Sequence, residues 1–385
     1  GANITGAANT ALGAQALQSN TASNNVGIGY LAGNQITSGT GNTTVGTYSL
    51  DACTTGGNNT AVGTGALSAN TTASNNTGLG KDALNGVTTG AQNVAVGALA
   101  LDSLTTGDSN NALGYQALQN MDTGSQNNAF GTFALKNASG AARNNAFGQQ
   151  ALEDITSGSG NTAMGHDAIR EATSADSCSG FGHGVLDSLT TGDENTAFGH
   201  GAMSSATTAP RNDAFGSDAM GSLTTGQDNV GIARQSFPNL TTGNGNVGIG
   251  NIGVISQLFD VSTQSDRMLL GHPNITSAYI KVSLTVTSDE RDKIDFGVVP
   301  HGLDFVNKLK PKSFWFRKKR DSEEKNGQQR YGFVAQDIAA LEGDNPVIID
   351  TEEEHHLKYK GEHLVPVLVN AIKELSAKVT ALEAA

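Results

Sequence analysis

Lysine and arginine are almost missing from the first 280 residues, which hold seven of them against eighteen aspartates and glutamates. Phosphate backbones are held by basic faces, so this part of the chain is excluded as a nucleic-acid binder. Cysteine is scarce as well. Cys53 and Cys178 are the only two in 385 residues, too few for a disulfide framework and too far apart in the repeat described below to bridge within one chain. No run of about eighteen apolar residues exists, so no membrane-spanning helix is expected, and no leader pattern opens the chain. It starts inside a repeat, at Gly1-Ala2-Asn3, as an excerpt or a processed product would. The scattered acids Asp187, Asp193 and Glu194 form no convincing carboxylate pair, which argues against a glycan hydrolase. No cofactor is called for. Gly248-Ile249-Gly250-Asn251-Ile252-Gly253 has dinucleotide-binding spacing, but two of its glycines belong to the repeat and no βαβ context follows.

Glycine is what the chain has in abundance: 49 residues, 43 of them before position 281. They keep a metre. A small residue, an apolar residue and glycine recur every seventeen positions from Ala11-Leu12-Gly13 to Gly248-Ile249-Gly250, with Ala233 in one glycine slot and one shorter first interval. An asparagine stands four before the glycine from Asn9 to Asn246, replaced only by Cys178. An apolar residue precedes the glycine, and another, such as Leu67, Leu84 or Leu101, usually follows four later. Both apolar columns read as inward-facing, too few per unit for one unit to fold alone, so neighbours must stack. Stacked asparagines can hydrogen-bond along the stack. Turns such as Thr105-Thr106-Gly107 and Thr224-Thr225-Gly226 separate units, and a positive φ is expected at their glycines.

Seventeen residues are too few for a propeller blade and lack the helix pair of a tetratricopeptide unit, which leaves a parallel β-solenoid over residues 1–253. A short helix over the Ala-Leu segment, for instance Asp167 to Glu171, would make the coil an α/β one. The Asn-x-Ala-apolar-Gly-x-x-Ala-Leu pattern resembles the head repeats of trimeric autotransporter adhesins, and the resemblance implies three chains packed side by side. After Gly253 the metre stops, and residues 254–287 read as connecting strands from alternating pieces such as Ala278 to Val286.

The last hundred residues differ in composition, with sixteen basic and eighteen acidic residues after position 280 and the only tryptophan, Trp315. They open on Thr287-Ser288-Asp289-Glu290-Arg291-Asp292-Lys293. Ser288, Asp289, Arg291 and Lys293 fit a Ser-Asp-x-Arg-x-Lys pattern, and three further blocks follow in order: Leu303 to Trp315, Tyr331-Gly332-Phe333-Val334-Ala335-Gln336-Asp337, and Tyr359 to Leu375. Residues 288–385 thereby resemble the self-cleaving intramolecular chaperone domain of phage tail spikes, tail fibres and endosialidases. The resemblance implies a small α+β domain, a homotrimer and a single-turnover serine auto-endopeptidase. Ser288 would attack the carbonyl of Thr287, the bond between Thr287 and Ser288 would be cut, and Lys293 would be the base, with Asp289 and Arg291 in support. Serine needs such a base, and lysine serves as one only when desolvation or a neighbouring cation disfavours its charge. Arg291 is the candidate cation. Asp292 and Asp295 depart from the pattern and would favour the charged lysine.

A helix is expected over 362–383, where Val365, Leu368, Ile372, Leu375, Val379 and Leu382 form a heptad seam. Its residue choice by itself favours two strands, whereas the resemblance implies three. His166, His183 and His200 each follow the glycine of consecutive coils and should line up, able to bind a metal or form a pH-sensitive patch; ordinary surface histidines are the simpler reading. Glu352 to His356 and Lys318-Lys319-Arg320 read as solvated loops. The resulting expectation is a virion tail fibre or other extracellular fibre with a host-surface receptor, possibly a glycan, and no membrane insertion; a bacterial trimeric surface adhesin is the alternative.

Overall fold

A computed structural model describes residues 6–250, 261–271, 275, 288–317, 322–351 and 357–385. Thr287, most of 254–287, Lys318 to Arg320 and Glu352 to His356 lie outside them. Two compact units divide the chain, Gly1–Pro273 and Asn274–Ala385.

The first unit is a parallel β-solenoid. Its strands are three residues long, from β1 (Thr10–Leu12) to β15 (Val247–Ile249) and β16 (Met268–Leu270), and each pairs with the next in one sixteen-stranded sheet. Register follows the sequence metre, as in Asn128↔Asn145 and Phe130↔Phe147. Fifteen steps of about 4.8 Å give a stack on the order of 70 Å long. The last rung was not legible in the metre. Val247 pairs with Met268, twenty-one residues on, and Arg267 donates its N–H to Asn246 Oδ1 as a ladder asparagine would.

The asparagine column forms a buried ladder. Asn144 is typical: its N–H and its Nδ2 both donate to Asn127 Oδ1, at 3.0 and 3.3 Å, and Nδ2 donates again to the Gly158 carbonyl at 2.9 Å. Its own Oδ1 accepts from Asn161 in the next rung. Each amide thus replaces the water its neighbours would otherwise need.

Of the two apolar columns, one faces inward and the other does not. The inward strand position is the middle one, held by Ala61, Ala95, Ala129 and Ala163, all fully buried. Side chains alternate along a strand, so the residue before the glycine points out. Leu79, Leu113, Phe130, Phe147, Phe198 and Ile249 are 37 to 46% exposed. Their rings stack along the rod, Phe181 on Phe198 at 4.4 Å and Phe130 on Phe147 at 4.9 Å. The column four after the glycine is buried, and a further buried column lies seven after it, including Ile36, Cys53, Val87, Leu104, Met121 and Ile155.

No helix forms over the Ala-Leu segment. Asp167 and Ile169 both have positive φ, +55° and +51°, as the third residue of a type II turn requires, so the segment is a pair of back-to-back turns. Left-handed backbone costs a bulky residue about 1–2 kcal/mol. Full burial contributes about 1.5–3 kcal/mol, and the strained residue donates its N–H to the next rung, as Ile169 does to the Val185 carbonyl at 2.9 Å. The glycines of the Thr-Thr-Gly turns, in contrast to expectation, have no positive φ. They are small because the next rung is close: a Cβ on Gly107 would sit 2.0 Å from the Gly124 carbonyl oxygen. Positive φ falls two residues later, at Ser109 or Gln126.

The second unit is α+β. Helix α1 (Leu303–Lys308), the antiparallel pair β17 (Lys312–Arg317) and β18 (Lys325–Gly332), helix α2 (Ala335–Glu342), the short pair β19 (Ile349–Asp350) and β20 (Lys358–Tyr359), and helix α3 (Leu364–Glu383) follow in order. Phe305, Ile338, Ile348, Ile349, Leu364 and Val367 make its core. Glu374 on α3 accepts the N–H of Leu303, tying α3 to the start of α1. With Leu364, Val367 and Ala371 turned inward, the heptad seam lies outside. Its six residues are 38 to 78% exposed.

Candidate functional site

Ser288 and Lys293 are brought together by one tight turn. Asp289 caps a 3₁₀ turn over Glu290–Asp292, its carboxylate accepting the N–H of Arg291 at 2.9 Å. The Arg291 guanidinium folds back onto the same carboxylate through Nε and Nη2, at 3.0 and 2.6 Å. Lys293 closes the turn by donating its N–H to the Glu290 carbonyl at 3.1 Å. Its side chain then reaches back over the turn. Nζ donates to Ser288 Oγ at 2.6 Å and to the Ser288 carbonyl at 3.2 Å. The spacing of the motif has a mechanical cause: aspartate and arginine clamp the reversal, and the lysine five residues on lands on the serine.

Arg291 is paired with Asp289. Its hydrogen bonds hold the Asp289 carboxyl below the usual carboxylate range and raise the guanidinium above its own. Asp295, in left-handed backbone at φ +56°, makes no ion pair with Lys293 among the described residues. Ser288 and Lys293 are both exposed in the single chain.

On the solenoid, the three histidines do line up. His166 stacks on His183 with ring centroids 5.2 Å apart, and His183 on His200 at 5.3 Å, all within 7° of parallel. Asp167, which sequence reasoning passed over, lies against the first ring with Oδ2 2.6 Å from His166 Nδ1. Two of the three acids considered for glycan chemistry have structural partners. Asp187 pairs with Arg170 at 2.9 Å, and Asp193 Oδ1 accepts the N–H of Asp176 at 2.8 Å. Both cysteines are buried free thiols, pushed up to about 11 by desolvation, which leaves them unreactive. No helix among the described residues is long and apolar enough to cross a membrane.

Residues 288–345 match the family model described as chaperone of endosialidase. The match begins at the serine of the turn. No curated protein matches the chain.

Proposed function

We propose that this chain is a homotrimeric fibre of a phage-type tail or a related extracellular appendage, assembled by its C-terminal chaperone region and then cut between Thr287 and Ser288. A chaperone-of-endosialidase segment behind a β-solenoid fits a protein of the tail-fibre type. In this reading residues 1–253 form the shaft, 254–287 the connection and 288–385 the chaperone. The shaft meets a host-surface receptor.

Register is the physical problem such a chaperone addresses. With a repeat of identical rungs, chains that pair one whole coil out of step lose little. A globular end that docks in only one way sets the start, and the shaft closes from there. The exposed seam of α3 supports this reading, because Val365, Leu368 and Ile372 are apolar side chains that a single chain leaves in water.

The observation that carries the cleavage is the 2.6 Å approach of Lys293 Nζ to Ser288 Oγ. The serine hydroxyl adds to the preceding carbonyl while its proton passes to a neutral Lys293 amine. That proton then goes to the departing Ser288 nitrogen, leaving an ester that water hydrolyses to a Thr287 carboxylate and a free Ser288 hydroxyl. A neutral lysine requires desolvation. The dyad is exposed in one chain, so the covering comes from the neighbouring chains, and the scissors close only after assembly. Once the chaperone has left, an unfolded shaft has no guide back, and the fibre is held kinetically.

Denaturing electrophoresis tests this. Wild type should run as a shaft band and a fragment beginning at Ser288, with Ser288→Ala and Lys293→Met at full length. A full-length wild-type band after trimer assembly would refute self-cleavage. Deleting 288–385 should independently abolish the trimer.

A further inference from the structure

We propose that the histidine column of the shaft is a binding site for a transition-metal ion of the zinc class, centred on His166, Asp167 and His183. One ligand atom from each of these residues lies within 4.8 Å of the others. Bonds of about 2.0–2.1 Å to imidazole nitrogen and carboxylate oxygen call for rotation of these side chains, the two histidines exposed and Asp167 half-buried. Two imidazoles and one carboxylate select zinc, cobalt, nickel or copper over magnesium and calcium, which take oxygen donors.

Three further observations point to a ligand. First, Asp167 Oδ1 is enclosed yet has no hydrogen-bond partner among the described residues, while Oδ2 holds the His166 ring in place. A buried carboxylate oxygen left without a donor is costly unless something positive faces it. Second, the column beside the histidines reads Asp167, Gly184, Gly201, Asp218. The glycine beside His183 leaves open space, with no atom within 4 Å of where its Cβ would stand. An ion and its remaining water ligands need that room. Third, Asp218, one coil beyond the last histidine, brings a second carboxylate to the other end of the stack. Asp218 Oδ1 lies 3.8 Å from His200 Nδ1.

The rungs supply preorganisation. His166 and His183 are fixed one coil apart by the strand pairing just before them, Met164↔Phe181, and by the Gly184 N–H donated to the His166 carbonyl at 3.0 Å, so the ion has to order side chains only. It would also clasp two rungs that are otherwise held by hydrogen bonds and packing.

The test is calorimetric titration of the full chain with Zn²⁺ alone, supported by Co²⁺ absorption, in a His355→Ala/His356→Ala background that silences the acid–histidine run near the C-terminus. One ion per chain is expected, with a cobalt spectrum showing nitrogen ligation. His183→Ala, whose side chain is exposed, and Asp167→Asn, which keeps the shape, should each weaken binding at least tenfold. Unchanged affinity in either variant, or no binding in the background chain, would overturn the assignment.

Discussion

Replacing Asn144 by alanine should cost the shaft about 2–6 kcal/mol, far more than one average hydrogen bond. The geometry sets the figure. Alanine keeps the backbone N–H donated to Asn127 Oδ1, so the preceding rung stays satisfied. The Gly158 carbonyl loses the donor at 2.9 Å, and the Asn161 N–H loses its acceptor at 2.9 Å. Asn161 Nδ2 still has the Ala175 carbonyl at 2.7 Å. Two buried backbone groups are therefore orphaned, each at about 1–3 kcal/mol. The protein already contains a milder version of this lesion. Cys178 occupies a ladder slot, and its Sγ reaches the Gly192 carbonyl at 3.2 Å while Asn195 Nδ2 approaches only to 4.0 Å. Sulfur is a weak donor and acceptor, so Cys178→Asn should stabilise by about 1–2 kcal/mol, and Asn144→Cys should lie between wild type and Asn144→Ala. Because rungs interact only with their neighbours, the assay is native-state hydrogen exchange resolved by rung, read at residues 127–178 and at a distant rung such as 43–60. Loss of protection confined to the neighbourhood of the substitution is expected. If Asn144→Ala lies within about 0.5 kcal/mol of wild type, the range of an ordinary surface substitution, or if Cys178→Asn destabilises, the ladder is not what holds the rungs together.

Ala233 stands in the glycine column at φ +120°, a conformation alanine rarely adopts; Ala233→Gly should raise the melting temperature, relieving about 1–3 kcal/mol of strain against about 0.4–1 kcal/mol of unfolded-chain entropy. The reverse change, Gly148→Ala, places a Cβ 2.2 Å from the Gly165 carbonyl oxygen at φ +145° and should lower it by more. Both thiols should ignore iodoacetamide at neutral pH until the chain unfolds, and the stability they contribute, present below the free-thiol range, should be lost as pH rises to about 11. An unfolding midpoint flat across that alkaline window would count against the burial. Leu375→Asp alters a seam residue that is exposed in one chain, so the second unit should keep its far-ultraviolet signal while sedimentation shows loss of the trimer; a trimer that survives would place the interface elsewhere.

Much of the architecture was legible because it is written as a period. A seventeen-residue recurrence of asparagine, small residue and glycine leaves parallel stacking as the way to bury two apolar columns, and the register, the ladder and the rung count to Gly250 follow. The Ser288–Lys293 contact was legible only as spacing: the two are five apart, and a 3₁₀ turn clamped by Asp289 and Arg291 is what converts that interval into contact. The period could not say which side of a three-residue strand faces inward, since both its middle and last positions are apolar or small. Only the closed coil, with small residues such as Ala129 and Ala146 filling the middle position inside, turned Phe130 and Phe147 outward. Nor could it place all the positive φ values: the metre glycine, or Ala233 in its slot, has one in every rung, from +117° to +145°, but the others fall on side-chain-bearing residues such as Ser109, Asp167 and Ile169 and not on the Thr-Thr-Gly glycines. The sixteenth rung, four residues out of step, and the pairing of Arg291 with Asp289 were likewise decided in three dimensions, because contact between side chains depends on the path of the backbone between them. One-dimensional order in the sequence determined one-dimensional order along the stack; what lies around its circumference belonged to the tertiary structure.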